Sequence, residues 1–186
     1  MKRLFSFVLI IIMLTGCSSQ QSDMEHALKL RQQLTSADDC SFTAVITADY
    51  IDQVHMFTLA CTANNVGDIT FEVLEPESIS GITGRISSDG GKLTFDDTVL
   101  AFEHLADGQF SPVSASWVLI RALRSGYLSA CGRDGNYTKV LIDDSYNDDT
   151  LHLDIWLDGD HLPARAEILW QGRRILSLEI KNFKFL

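Results

Sequence analysis

Cys40-Ser41-Phe42-Thr43-Ala44-Val45-Ile46-Thr47-Ala48 and His55-Met56-Phe57-Thr58-Leu59-Ala60-Cys61 are two stretches in which alternate positions share one character. A period of two belongs to a strand with one buried face, and the break at Tyr50-Ile51-Asp52 makes the pair read as a hairpin. A register that sets Cys40 opposite Cys61 also sets Phe42 opposite Leu59, Ala44 opposite Phe57 and Ile46 opposite His55. The whole apolar set then lies on one face. Opposed Cβ atoms stand about 4.5–5.5 Å apart, near the disulfide range of about 3.5–4.5 Å. A Cys40–Cys61 disulfide is therefore the expectation, with two buried free thiols as the alternative. It would close a loop worth on the order of 3 kcal/mol in the chain-entropy model.

More strands follow toward the C-terminus. Ile69, Phe71 and Val73 alternate with Thr70, Glu72 and Leu74 until Pro76. Strands at 82–87 and 92–95 flank a tight turn at Ser88-Asp89-Gly90-Gly91, and a further strand at Thr98–Phe102 follows a short turn at Asp96-Asp97. Five further strands are expected at 127–131, 137–142, 150–157, 161–170 and 173–185. Their turns are Gly132–Asn136, Asp158-Gly159-Asp160 and Gln171-Gly172. Two helices interrupt the pattern. One covers Met24–Ser36, capped by Ser22 or Asp23, with Met24, Ala27, Leu28, Arg31 and Leu34 on one stripe. The other starts at Ser111-Pro112 and ends at Gly126, with Arg121 and Arg124 near its negative C-terminal end. Trp117, Val118 and Leu123 are expected against the sheet. About ten strands with helices at the start and in mid-chain give an α+β fold, a meandering antiparallel sheet with a helical layer.

The first residues are a targeting segment. Lys2 and Arg3 precede an apolar run from Leu4 to Leu14, too short for an ordinary membrane span but right for a secretory signal. Leu14-Thr15-Gly16-Cys17 has the form of a bacterial lipobox. Cleavage before Cys17 and its modification by diacylglycerol and further acylation, as by palmitate, would anchor the chain in the cell membrane on its extracytoplasmic side. The expected organisation is a signal peptide at 1–16, a lipidated cysteine and polar tether at 17–22, and one domain at 23–186. An exported location permits disulfides. Cys131 is then the odd cysteine, expected to be buried.

The whole 186-residue chain carries a formal charge of −10, and loss of Lys2 and Arg3 with the signal makes it −12. No Lys or Arg occurs between Gln32 and Gly84. A nucleic-acid partner, which needs a cationic groove, is excluded. No catalytic or nucleotide-binding motif is present, so neither an enzyme nor a cofactor is expected. The five histidines lack metal-ligand spacing, and His55 reads as a core or rim residue. Asp143–Asp149 lacks the glycine and closing glutamate of a calcium loop and reads as a solvated acidic turn; no metal is expected.

Glu72-Val73-Leu74-Glu75-Pro76, Ile79, Gly81-Ile82 and Lys92–Asp97 resemble the middle of the LolA/LolB-type lipoprotein-carrier superfamily. Leu162–Ile168 and Gly172–Phe183 resemble its C-terminal run, and the resemblance spans roughly residues 23–186. It implies an incomplete β-barrel, a curved antiparallel sheet with helices as a lid over the concave face. It also implies a hydrophobic cavity that takes an acyl chain, lipid or lipoprotein moiety. Phe42, Phe57, Leu59, Phe71, Phe95, Phe102 and Trp117, with Trp156 and Trp170 in the same aromatic set, are the candidates to line it, with a filled core as the alternative reading for most of them. The carrier's gating arginine has no counterpart in the cation-free early strands. The lipobox is shared with the outer-membrane receptor and with Gram-positive relatives, and the latter are favoured. The same resemblance implies a second role, a non-catalytic accessory lipoprotein that binds an envelope protein such as a cell-wall hydrolase in spore germination.

Overall fold

The computed structural model describes residues 18–51, 53–87, 90–94, 111–144 and 151–186. Helix α1 (Ser18–Ser36) leads into strands β1 (Asp39–Asp49), β2 (Val54–Asn64) and β3 (Ile69–Glu75). A 3-10 turn (Glu77–Ile79) precedes β4 (Thr83–Ser87) and β5 (Gly90–Thr94). A second 3-10 turn (Pro112–Ser114) opens helix α2 (Ala115–Ser125). Strands β6 (Tyr127–Asp134), β7 (Tyr137–Asp143), β8 (Leu151–Leu157), β9 (Pro163–Trp170) and β10 (Arg173–Phe185) complete the fold.

All ten strands join one antiparallel sheet in the order β5-β4-β3-β2-β1-β10-β9-β8-β7-β6, and the sheet is not closed. Hairpins build each half, and the first and last strands meet at the centre, from Cys40 opposite Phe185 to Ala48 opposite Leu176. The alternation read from the sequence governs burial. Cys40, Phe42, Ala44, Ile46 and Ala48 of β1 are buried, as are Ile69, Phe71 and Val73 of β3, and their neighbours face outward. The strand expected at 98–102 lies outside the described residues.

Both helices pack on the buried face. Helix α1 lies along β6 and touches β7, whereas α2 touches both β2 and β7. Those two strands are five positions apart, about 24 Å along a flat sheet. An 11-residue helix is only about 16 Å long, so the sheet must curl toward it. Val118 and Leu123 are buried as expected and Trp117 is half-buried. Helix α2 ends at Gly126, where there is no space for a side chain. A Cβ there would sit 2.4 Å from Ile142 Cγ2 and 2.8 Å from the Ala122 carbonyl.

Helix α1 departs from the sequence reading in two ways. It begins at Ser18, so the expected tether at 18–22 is helical, and Asp23 does not cap it. Ser18-Ser19-Gln20-Gln21-Ser22 holds no glycine or proline to stop the helix from propagating backward. The stripe is also rotated. Ala27, Leu30 and Leu34 are buried with Asp23, whereas Leu28 is 48% exposed.

The disulfide expectation is corrected. The hairpin register is offset by two residues, with Cys40 opposite Ala63 and Cys61 opposite Phe42. Because the offset is even, every apolar residue keeps its face, but the two cysteines become diagonal neighbours, roughly 7–8 Å apart by Cα. Cys40, Cys61 and Cys131 are all free and buried. The cause is the turn. Asp49 pairs with Val54 across four residues, where the expected register would have set it opposite Asp52 across two, and the Tyr50 amide donates to the Gln53 carbonyl at 2.9 Å.

Candidate functional site

The chemistry of this fold is concentrated where the two helices meet each other and the sheet. Arg31 of α1 directs its guanidinium at the C-terminus of α2, where helix carbonyls lack intrahelical donors. Its Nε donates to the Leu123 carbonyl at 2.8 Å, and its Nη2 donates to the carbonyls of Gly126 at 2.7 Å and Ala122 at 3.4 Å. The exchange is reciprocal, since Arg124 Nε of α2 donates to the Leu34 carbonyl of α1 at 3.2 Å. Each helix thus caps the other with an arginine. Burial pushes the Arg31 pKa below its ordinary value.

Three side chains tie α2 to the two halves of the sheet. Ser116 Oγ lies 3.3 Å from Cys61 Sγ on β2. The Trp117 indole N–H donates to the Gly67 carbonyl at 3.1 Å in the β2–β3 turn. Arg121 grips Asp144, just after β7, through Nε at 3.1 Å and through Nη2, and stacks over Trp117 at 4.5 Å. Asp144 was expected in a solvated acidic turn, yet its side chain is fully buried. Burial raises its pKa, and the Arg121 charge offsets only part of that.

The expected lining residues separate into groups. Phe42, Leu59 and Phe71 are buried on the inner face, Phe42 stacked on Phe183 at 5.6 Å, and Cys61 lies between Phe42 and Phe71 in one cross-strand row. Phe57 is half-buried beside the exposed His55 near the hairpin tip. Trp117 sits at the edge of α2. Phe95 and Phe102 lie outside the described residues. Trp170 is buried in the core, but Trp156 is on the opposite face, between Lys139 at 4.7 Å and Arg165 at 3.8 Å, with its N–H on Asp134 at 2.6 Å. It cannot line a space beneath the helices.

Three concavities bear on function. One of about 540 Å³ lies where α1, the end of α2 and β6 meet, lined by Met24, Leu28, Arg31, Ser125, Gly126, Tyr127, Leu128 and Asp143. Its volume falls in the ligand-site range of about 300–1,000 Å³. Leu28 and Tyr127, 48% and 73% exposed, stand at its mouth. A second, of about 220 Å³, lies at the edge of α2 over the β2–β3 turn. The third, about 710 Å³, is on the outer face of the sheet with hydroxyl-bearing side chains on its floor, among them Ser41, Thr43, Thr62 and Thr70. Sequence reading missed Arg31, Arg124 and Asp144 as site residues. The one signal for them was an arginine placed on an otherwise apolar helical stripe. Among the described residues no group of three metal-ligating side chains occurs, and no helix is long and apolar enough to cross a membrane.

Residues 1–18 match the prokaryotic membrane lipoprotein lipid attachment site. No curated protein matches the sequence. Similar solved structures include a putative outer membrane lipoprotein-sorting protein domain from Vibrio parahaemolyticus, with 12% identity, 87% of this chain and 91% of that one covered, and a TM-score of 0.49. A LolA superfamily protein from Nitrosomonas europaea gives 9%, 86%, 93% and 0.44. The Mycobacterium tuberculosis lipoprotein LppX gives 13%, 87%, 93% and 0.41. The chain thus carries a lipoprotein lipid attachment site, and the solved structures it is similar to include LolA superfamily and lipoprotein-sorting-like proteins.

Proposed function

We propose that this protein is a non-catalytic lipoprotein, held on the extracytoplasmic side of the cell membrane through Cys17, that shelters an acyl chain at its helical cover. In this reading the curled sheet is an incomplete barrel and α1 and α2 are the lid over its concave face. The observation that carries it is the opening of about 540 Å³ between α1, α2 and β6, with Met24, Leu28, Tyr127 and Leu128 at or near its surface. Each methylene buried there contributes about 0.8 kcal/mol without any directional polar group. Arginine-to-carbonyl bonds hold the lid, and such bonds can part and re-form without unfolding a helix. The test is titration of a soluble Cys17→Ser form with a fluorescent fatty acid. Micromolar uptake that Leu28→Glu weakens at least tenfold is expected; no uptake by the folded protein overturns the reading.

A second reading, an accessory lipoprotein that engages an envelope protein, is favoured by the β1–β2 hairpin tip. Ile51, Val54 and Met56 are 77%, 66% and 60% exposed there, and Ile51 adopts φ +74°, rare for a β-branched residue. A photo-cross-linker at Val54 in intact cells should give one discrete protein adduct that Met56→Asp abolishes. Adducts to lipid alone count against this role.

A further inference from the structure

Helix α1 is continuous from Ser18, the residue after Cys17, to Ser36, and its docking onto the domain starts close to its N-terminus. The buried Asp23 carboxylate pairs with Arg133 Nε at 3.0 Å. Met24 Sδ lies 3.8 Å from Cys131 Sγ of β6, and the His26 ring stacks on His161 of the β8–β9 turn at 3.7 Å. Asp23 is five residues past Ser18, about 7.5 Å of helical rise. Arg133 is two residues short of Gly135, about 7 Å of strand. Helix start and β6–β7 turn therefore reach the same level, and Cys17 follows within one Cα step of about 3.8 Å.

From this we infer that α1 is a rigid post rather than a leash, and that the end of the domain formed by the β6–β7 and β8–β9 turns is its membrane-facing surface. The inference rests on the reading of Cys17 as the lipid attachment point. Acyl chains on Cys17 bring these turns within on the order of 10 Å of the lipid headgroups. The occupant of this surface is the headgroup layer itself. Tyr137, 43% exposed, and the exposed part of Arg133 suit that zone. Glu25 and Asp160 are exposed at the same end, and the cost of burying a carboxylate keeps that end out of the acyl chains. The hairpin tip points the other way. Arg173, the first residue of β10 after the β9–β10 turn, donates through Nη2 to the Asp49 carbonyl at 3.1 Å, so both turns share one end. Strand β9 alone separates that end from the β8–β9 turn by about 23 Å.

The experiment uses the lipidated full-length protein in phosphatidylcholine–phosphatidylglycerol vesicles. Its three native thiols beyond Cys17 are buried, so a spin label goes to one introduced cysteine: Asn136→Cys, Asp160→Cys or Val54→Cys. A relaxation agent chelated to lipid headgroups should broaden the labels at 136 and 160 several-fold more than the label at 54. Replacing Ser19–Ser22 with four glycines should erase the difference while the protein still floats with vesicles. Equal broadening at all three sites in the unaltered helix, or greatest broadening at 54, overturns the orientation. Failure of the lipidated protein to float overturns the attachment reading instead.

Discussion

Arg31 is the residue whose replacement should most directly loosen the helical cover. Two of its hydrogen bonds, at 2.8 and 2.7 Å, are short, and the donor is charged. Bonds of this kind contribute about 1.5–3 kcal/mol each, and a cation at a helix C-terminus adds about 0.3–1 kcal/mol. Arg31 is half-exposed, so solvent screening and the desolvation of the guanidinium take back part of that sum. About 2–3 kcal/mol should remain for Arg31→Met, which keeps the aliphatic stem and removes the donors. At about 2–4 °C per kcal/mol for a chain of this size, the melting temperature should fall by about 4–12 °C. The loss should also be local. Hydrogen exchange at Gly126, whose amide bonds the Ala122 carbonyl at 2.8 Å, should accelerate more than exchange in β9 or β10. Urea denaturation and native-state exchange on the same variant measure both effects. A stability within 0.5 kcal/mol of the parent, with unchanged exchange at the end of α2, would refute the mutual capping of the helices.

Burial pushes the Cys61 pKa up to about 12 from an ordinary value of 9.0, and Cys40 and Cys131 shift the same way. The folded chain then keeps protons that the unfolded chain releases, so Cys61 should lower stability by about 1.4 kcal/mol per pH unit between pH 9 and about 12, and Cys40 and Cys131 should act in the same direction. Cys61→Ala should flatten that slope, and the folded protein should resist maleimide until denatured. The pKa of His161 is lowered by burial first and then by the stacked His26. Its contribution to stability is present above the ordinary histidine pKa and is lost as pH falls through the lowered value, so docking of α1 should weaken in mild acid. Denaturation midpoints at pH 7.5 and 5.5 should differ less in His161→Phe than in the parent. Gly126→Ala should cost about 1–3 kcal/mol through the clash with Ile142, read from the urea midpoint. Trp156→Phe should leave fatty-acid uptake unchanged, because that ring is on the outer face; reduced uptake would contradict the site's placement.

The strand pattern was legible because a half-buried sheet writes its period into the sequence. Ser41 to Ala48 and Ile69 to Leu74 alternate as they are buried. Register was not legible. A shift of two residues keeps every face, so the hydrophobic pattern could not choose between Cys40 opposite Cys61 and Cys40 opposite Ala63; turn hydrogen bonding chose. Trp156 misled because its size suggested the core, although it alternates with Leu151, Leu153, Ile155 and Leu157 and so shares the outer face with His152 and Asp154, buried there under Lys139 and Arg165. Asp144 read as a surface charge, since nothing local tells that a helix 23 residues away will cover it; Arg31 stood on the apolar stripe of its helix, but nothing local tells that an orphaned helix end will receive it. The proposed acyl site was the least legible part, because methylene groups require only apolar volume.

That site can be located by a fatty acid carrying a photoactivatable diazirine, bound to the folded Cys17→Ser protein, irradiated and mapped by peptide mass spectrometry. The account predicts label on peptides holding Met24, Leu28, Tyr127 and Leu128, the residues of the opening between α1, α2 and β6. Label confined to the outer groove around Thr43 and Thr62, or no label above that of an unrelated soluble protein, would contradict it.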